Sequence, residues 1–353
     1  MDEKTFKKLV QAAGIITSPT KGIPIAAFMK IYDKVFQRYE RPDYSLYPGF
    51  YDYNKVKKVL PRERISVLVD KNTLQGYYYK NKDPKGLVVT CHGIHAGADD
   101  YLPIQKYFYD NGFSVFSFDY RGTYDSNGES NVGGCEPLVD LDAILTYIET
   151  HDSFKGLKIF LFGHSWGGYA VLSSLCLNHK IEAVAAISPM NDGATLVNEK
   201  AKEYAGFMSR VTWGMVVVYQ RYLFKQYNDY NSTLGINSKN VPVMVFHGVD
   251  DKVIDYFTLS VISHKDEITN PNCKFFTTKG LFADHNDIML SLDAILYRKE
   301  VESDLNIYVH ENGNVLTDDI KRKFYKTIDH ERYSSVNEDV FKKILDMYLS
   351  TLK

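Results

Sequence analysis

From residue 64 onward, short apolar runs alternate with segments whose apolar residues recur every three or four positions. The short runs predict strands: Arg64 to Val69 and Leu74 to Lys80 as a hairpin pair, then Leu87 to Cys91, Phe113 to Phe118, Lys158 to Phe162, Ala183 to Ile187, Val243 to Phe246 and Lys274 to Thr277. Between several of them the longer period predicts helices, as with Leu138, Leu141, Ile144, Leu145 and Ile148. Alternating strands and helices give a mostly parallel sheet with helices on both faces, an α/β fold in which ligands sit beyond the carboxyl ends of the strands.

Insertions and extensions modify that rhythm. Val197, Ala201, Tyr204, Met208, Val211, Met215, Val218 and Tyr222 form a helical stripe inside an insertion at about 190–240, which predicts a helical cap weakened at Gly206 and Gly214. Residues 1–60 form an amino-terminal appendage. Pro24 opens a predicted helix with the stripe Ile25, Phe28, Tyr32, Val35 and Tyr39, and an aromatic loop from Tyr44 to Tyr53 follows. Residues 61–353 make the main domain. Asn312-Gly313 between short apolar arms predicts a hairpin insertion at about 300–330, and Val340, Ile344 and Tyr348 mark a final helix over 337–352.

Composition narrows the class of function. The chain has 353 residues, 44% hydrophobic, with a net charge of −2, so it can bury a sizeable core and lacks the basic surface that nucleic acid requires. Pro19, Lys21 and Pro24 interrupt the first apolar stretch, and no stretch reaches the length of a membrane span, so a soluble, cytoplasmic protein is expected. The amino-terminal aromatic segment is compatible with peripheral membrane contact or a second subunit; oligomeric state is open. Cys91, Cys135, Cys176 and Cys273 are too scattered for a disulfide framework or a zinc site and are read as buried thiols. With 27 Tyr and 20 Phe, the chain has material for a wide apolar groove with hydroxyl tips.

The most specific motif is Gly163-His164-Ser165-Trp166-Gly167-Gly168, which follows the apolar run Ile159 to Phe162 and precedes the helix-like Tyr169 to Leu172. A strand-to-helix turn this sharp holds its middle residue in strained φ/ψ and needs glycine on either side, the arrangement of a nucleophile elbow. A serine hydroxyl needs a neutral imidazole, and that imidazole needs an acid to orient it. The strand from Val241 to Phe246 ends in His247-Gly248-Val249-Asp250-Asp251, and the strand from Lys274 is followed by Asp284-His285. Serine, acid and histidine therefore occur in that order, each at the carboxyl end of a separate strand.

With this elbow and order, the chain is identified as resembling the α/β-hydrolase superfamily. His92-Gly93, Tyr101, Asp119-x-Arg121-Gly122 and Ser126-x-Gly128 bring it close to the branch of monoacylglycerol lipase, the cinnamoyl esterases and serine aminopeptidase-like enzymes, from which it departs in carrying Thr123-Tyr124 where Gly-His is common. The resemblance covers about residues 64–290 and the final helix. It implies Ser165 as nucleophile, His285 as general base, Asp251 rather than Asp250 as orienting acid through the His-Gly-x-x-Asp pattern, and the backbone N–H groups of Ile94 and Trp166 as an oxyanion hole. No metal or cofactor is expected. His92, His95 and His164 are read as organisers of loops, Arg121 as fixing the loop after Asp119, and Asp140 and Asp142 as capping or flanking a helix. The expected activity is hydrolysis of a small-molecule ester with an apolar acyl or aryl group; peptide or thioester cleavage and non-catalytic ligand binding are the alternatives.

Overall fold

The computed structural model describes residues 32–34, 36–49, 51–197 and 209–353, with backbone alone for 209–213. The predicted strands form one sheet: β1 (Glu63–Val69), β2 (Asn72–Tyr79), β3 (Leu87–Cys91), β4 (Ser114–Phe118), β5 (Ile159–His164), β6 (Ile181–Ile187), β7 (Val243–Gly248) and β8 (Cys273–Thr278). Their spatial order is β1-β2-β4-β3-β5-β6-β7-β8. β1 and β2 form an antiparallel hairpin, β2 pairs antiparallel with β4, and the other pairs are parallel. Every residue of β3, β4 and β5 is buried, whereas the edge strands β1 and β8 are partly exposed. Burial on both faces explains why the central strands read as unbroken apolar runs.

The period-two alternation of those runs divides the interior. Leu87, Val89, Ile159 and Leu161 join the core on one face with α2 (Glu136–Thr150) and α3 (Trp166–Ser173). Val88, Phe160 and Phe162 point the opposite way, toward α1 (Leu102–Asp110) and, at the far end of the chain, a helix described below. The result is a three-layer sandwich of the α/β-hydrolase fold.

Between β6 and β7 lie α4 (Ser209–Phe224), within the cap insertion, and the shorter α5 (Ser232–Ser238). Met215 and Val216 of α4 are buried. Gly214 lies inside α4 without ending it, while Tyr222 is exposed and so does not belong to the buried stripe. Ala201, Tyr204, Gly206 and Met208 fall outside the described residues, as does the side chain of Val211. In the appendage, Tyr32 to Lys34 are helical, but Tyr39 is not: it forms a bridge to Thr123, and its N–H donates to the Gly122 carbonyl at 2.9 Å. Pairing with the Tyr120 to Asn131 loop therefore ends the helical stripe before Tyr39. Pro24, Ile25, Phe28 and Val35 lie outside the described residues. Arg41 of this segment and Arg62, just before β1, clasp the buried Asp99 in the loop before α1.

The predicted hairpin at Asn312-Gly313 is corrected. Ile307 to Glu311 complete α6 (Leu292–Glu311), and the turn leads into α7 (Asp318–Tyr325). Gly313 has φ +96 and Asn314 φ 61, with the Asn314 N–H on the Val309 carbonyl at 2.9 Å, so this pair caps a helix by a left-handed turn. The final helix α8 (Glu338–Ser350) buries Val340, Ile344 and Tyr348 on the α1 side of the sheet.

Candidate active site

Ser165 stands between the last residue of β5 and the first of α3, at φ 55 and ψ −116. The flanking glycines are required by close approach. A Cβ on Gly163 would sit 2.3 Å from the Gly167 carbonyl oxygen, and one on Gly167 would sit 2.2 Å from the Cys91 carbonyl oxygen. The Ser165 N–H donates to the Ile187 carbonyl at 2.9 Å, which locks the turn against β6. Ser165 Oγ has no hydrogen-bond partner among the described residues.

The acid and the histidine meet. His285 Nδ1 lies 2.7 Å from Asp251 Oδ2, both side chains buried. Asp251 Oδ1 accepts from the N–H groups of Val253 and Ile254, each at 2.8 Å, while His247 Nε2 lies 3.0 Å from both Oδ2 and the Ile254 carbonyl and shares its N–H between them. Burial alone would raise this carboxyl; the hydrogen bonds from His247, His285 and Ile254 outweigh it and hold Asp251 well below the usual carboxylate range. Asp250 is exposed and turned away, its backbone N–H on the Ala283 carbonyl at 3.1 Å. With a carboxylate on Nδ1, His285 carries its proton there and leaves Nε2 as a hydrogen-bond acceptor. The Ser188 hydroxyl, just after β6, donates to the His285 carbonyl at 3.0 Å and fixes the loop.

A hydrogen-bond chain joins this loop to the one after β3. His164 Nε2 lies 3.3 Å from the His285 carbonyl, and its Nδ1 lies 2.7 Å from Tyr101 Oη, which accepts the Gly93 N–H at 2.9 Å. A carbonyl only accepts, so Nε2 carries the proton, Nδ1 accepts from the tyrosine, and the whole chain has one direction. Burial, then the neighbouring His285, push His164 down to about 3, keeping the ring neutral as that chain demands. His92 is also neutral: burial pushes it down to about 4, with Nδ1 donating to the Gly93 carbonyl at 2.8 Å and Nε2 accepting the Tyr120 N–H at 3.2 Å. His95 is exposed beside the Tyr39 ring, at 5.5 Å between centroids. Among the described residues, no group of three or more His, Cys, Asp or Glu side chains is placed to hold a metal ion.

The N–H groups of Ile94 and Trp166 have no acceptor among the described residues; Trp166 opens α3, where a helix leaves its first N–H groups unpaired. The Trp166 ring is fixed by its Nε1 on the Gly134 carbonyl at 2.7 Å and packs 6.2 Å from Phe36 of the appendage. Arg121 places Nε 3.1 Å from Glu136 Oε1, and its backbone N–H donates to Asp140 Oδ2 at 2.7 Å. Asp140 and Asp142 lie within α2 rather than at its end, Asp140 buried beneath Arg121 and Asp142 holding His179 Nε2 at 2.6 Å. The role of His247 as a second donor to Asp251 was not read from the sequence, although the four-residue spacing of the two was its signal.

A family model described as serine aminopeptidase, S33, matches residues 82–236, a span that includes Ser165 and stops before Asp251 and His285. An uncharacterized 31.7 kDa protein of the traX-finO intergenic region of Escherichia coli is 29% identical over 129 residues, 35% of this chain and 44% of that protein. The chain thus matches less than half the length of that relative. The uncharacterized protein YfhR of Salmonella typhi is 25% identical over 277 residues, 74% of this chain and 87% of YfhR. The structure of the Pyrococcus furiosus esterase Pf2001 superposes with a TM-score of 0.53 at 18% identity, covering 74% of this chain and 96% of the esterase. The sheet order, the strand-to-helix elbow and the superposition on the Pyrococcus esterase together show the α/β-hydrolase fold, and over residues 82–236 the chain is similar to the serine aminopeptidase S33 family.

Proposed function

We propose that the protein is a serine hydrolase that cleaves a carboxylic ester with an apolar acyl or aryl group. The observation that carries the proposal is the buried 2.7 Å pair of His285 Nδ1 and Asp251, tied through His164 and Ser188 to the neighbourhood of the strained Ser165. In this reading Ser165 Oγ attacks the ester carbonyl while His285 Nε2 takes its proton. The Ile94 and Trp166 N–H groups hold the oxyanion, and the leaving alcohol departs with the proton from His285. Water, deprotonated by His285, then opens the acyl-enzyme and releases the acid. Asp251, held ionised, keeps the proton of the imidazole on Nδ1.

The described cap and appendage support an apolar approach to the serine: Tyr219 of α4 packs on Tyr32 at 4.7 Å, Tyr32 on Phe36 at 4.9 Å, and Phe36 on Trp166. The esterase name of the Pyrococcus relative favours an ester substrate; the aminopeptidase description of the matching family model supports peptide cleavage as the second reading. A fluorophosphonate probe is expected to label the wild type and not Ser165→Ala, and Ser165→Ala or His285→Ala should lower kcat by roughly 10⁴ to 10⁶ on an ester panel from acetyl to long acyl and aryl groups. An unlabelled wild type, or full activity in either variant, overturns the proposal. Faster turnover of aminoacyl peptides than of any ester moves the substrate to the second reading.

A further inference from the structure

Beside the candidate catalytic residues, on the side of α1 and α6, lies a cavity of about 240 Å³. Two of its wall residues come from the loops of the site: Asn286 follows His285, and Ala96 lies two residues after Ile94. The remaining walls are mostly apolar, from Ile104, Met289, Leu290 and Val336. Into these walls projects Arg298, half-buried in the second turn of α6.

The surroundings of Arg298 are unusual for a half-buried guanidinium. Nε donates to the Tyr333 carbonyl at 2.9 Å, the guanidinium lies 4.5 Å over the Tyr333 ring, and Tyr51 offers it a hydroxyl. No carboxylate is within ion-pair distance of it among the described residues. Asp287, pushed up by its own burial and by Asp284, feels the Arg298 charge but makes no ion pair with it. Asp100, the carboxylate in the cavity wall, is already taken: its oxygens accept from the Gly97 N–H at 2.8 Å, the Tyr124 hydroxyl at 2.6 Å and the Tyr44 hydroxyl at 3.2 Å. Of the five N–H donors of a guanidinium, one is spent on a carbonyl and one meets a hydroxyl, so among the described residues the cavity wall presents a cation with donors left over.

We propose that this cavity is a carboxylate-binding subsite that takes a small carboxylate on an apolar body. A single delocalised cation with a planar donor fork suits a carboxylate, which it can pair bidentately. Phosphate, with more charge and more acceptors, finds here only one cation, apolar walls and a nearby carboxylate. The source of the group rests on the ester-hydrolase reading: next to His285 and the Ile94 loop, it is the second acid group of a half-ester substrate. Binding itself does not depend on that reading.

Isothermal titration with benzoate tests it. Benzoate is expected to bind the wild type and Ser165→Ala alike, with benzamide roughly tenfold weaker or worse, since a hydrogen bond to a charged group is the difference. Arg298→Gln should lose benzoate by a similar factor and Arg298→Lys should keep part of it. Val336→Phe, which fills the cavity and leaves Arg298 in place, should lose it too. Equal binding of benzamide and benzoate, or unchanged affinity in Arg298→Gln and Val336→Phe, overturns the subsite. Competitive inhibition of ester turnover by benzoate supports the substrate as the source. Arg298-dependent binding without competition overturns that source and leaves a separate carboxylate ligand, while failure of fluorophosphonate labelling bears on Ser165 alone.

Discussion

Asp251 illustrates how much of this site depends on single atoms. Its two oxygens receive four donors, two backbone N–H groups on Oδ1 and two imidazoles on Oδ2, and their sum keeps the carboxylate ionised despite burial. Its neighbour Asp250 has the same chemistry and none of these contacts, because a turn sends successive side chains in different directions. In the proposed reaction, Asp251→Asn removes the charge and offers His285 an amide that favours the wrong tautomer, so kcat should fall by about 10⁴ with the fold retained. Asp250→Asn should leave kcat close to wild type. Comparable losses in the two variants, read from steady-state ester kinetics beside circular dichroism, would refute the choice of Asp251. Sequence alone left both acids open, and only the His-Gly-x-x-Asp resemblance favoured the second.

At the scale of elements, the elbow is the part most tightly written in the sequence. Three chain segments converge there: the end of β5, the start of α3 and the carbonyls of Cys91 and His92, which a Gly167 Cβ would meet at 2.2 and 2.6 Å. Gly167→Ala should therefore destabilise the protein by about 1–3 kcal/mol, the usual cost of overpacking, and displace Ser165 from its partners. Urea unfolding and probe labelling measure the two effects, and a variant with wild-type stability and labelling would contradict the close approach. The strands were legible because sheet burial imposes apolar runs that turns interrupt. The segment around Asn312-Gly313 was misread because a helix end and a hairpin use the same residues for the same reason, tolerance of positive φ. What separates them is the twenty-residue helix before the turn, whose polar composition gives a weak periodic signal.

For the whole molecule, buried ionisable groups couple stability to pH with opposing signs. His92 takes a proton near 6.5 in an unfolded chain and near 4 in the native state, so between those values the unfolded state binds more protons and stability falls as pH falls. Asp119, pushed up to about 7 chiefly by burial, holds a proton that the unfolded chain lacks above about 4, so it acts the other way. The total curve mixes both, and a differential measurement separates them. His92→Gln should lose less stability than wild type between pH 6.5 and 4.5, by about 2–3 kcal/mol. Identical losses in urea unfolding at the two pH values would mean that His92 titrates as an ordinary exposed imidazole.

The sequence by itself determined the α/β architecture, the position of the elbow and the order of serine, acid and histidine, since these follow from local periodicity, glycine sterics and chain order. Tertiary structure alone decided which of two adjacent aspartates meets His285. It also made His247 a second donor to that acid, laid Phe36 against Trp166, and stacked Arg298 on the Tyr333 ring in a cavity wall beside the site. Each of these is a contact between residues far apart in the chain, or a direction set by a turn. Hydrophobic period records which face of an element is buried and carries no information about which element it is buried against.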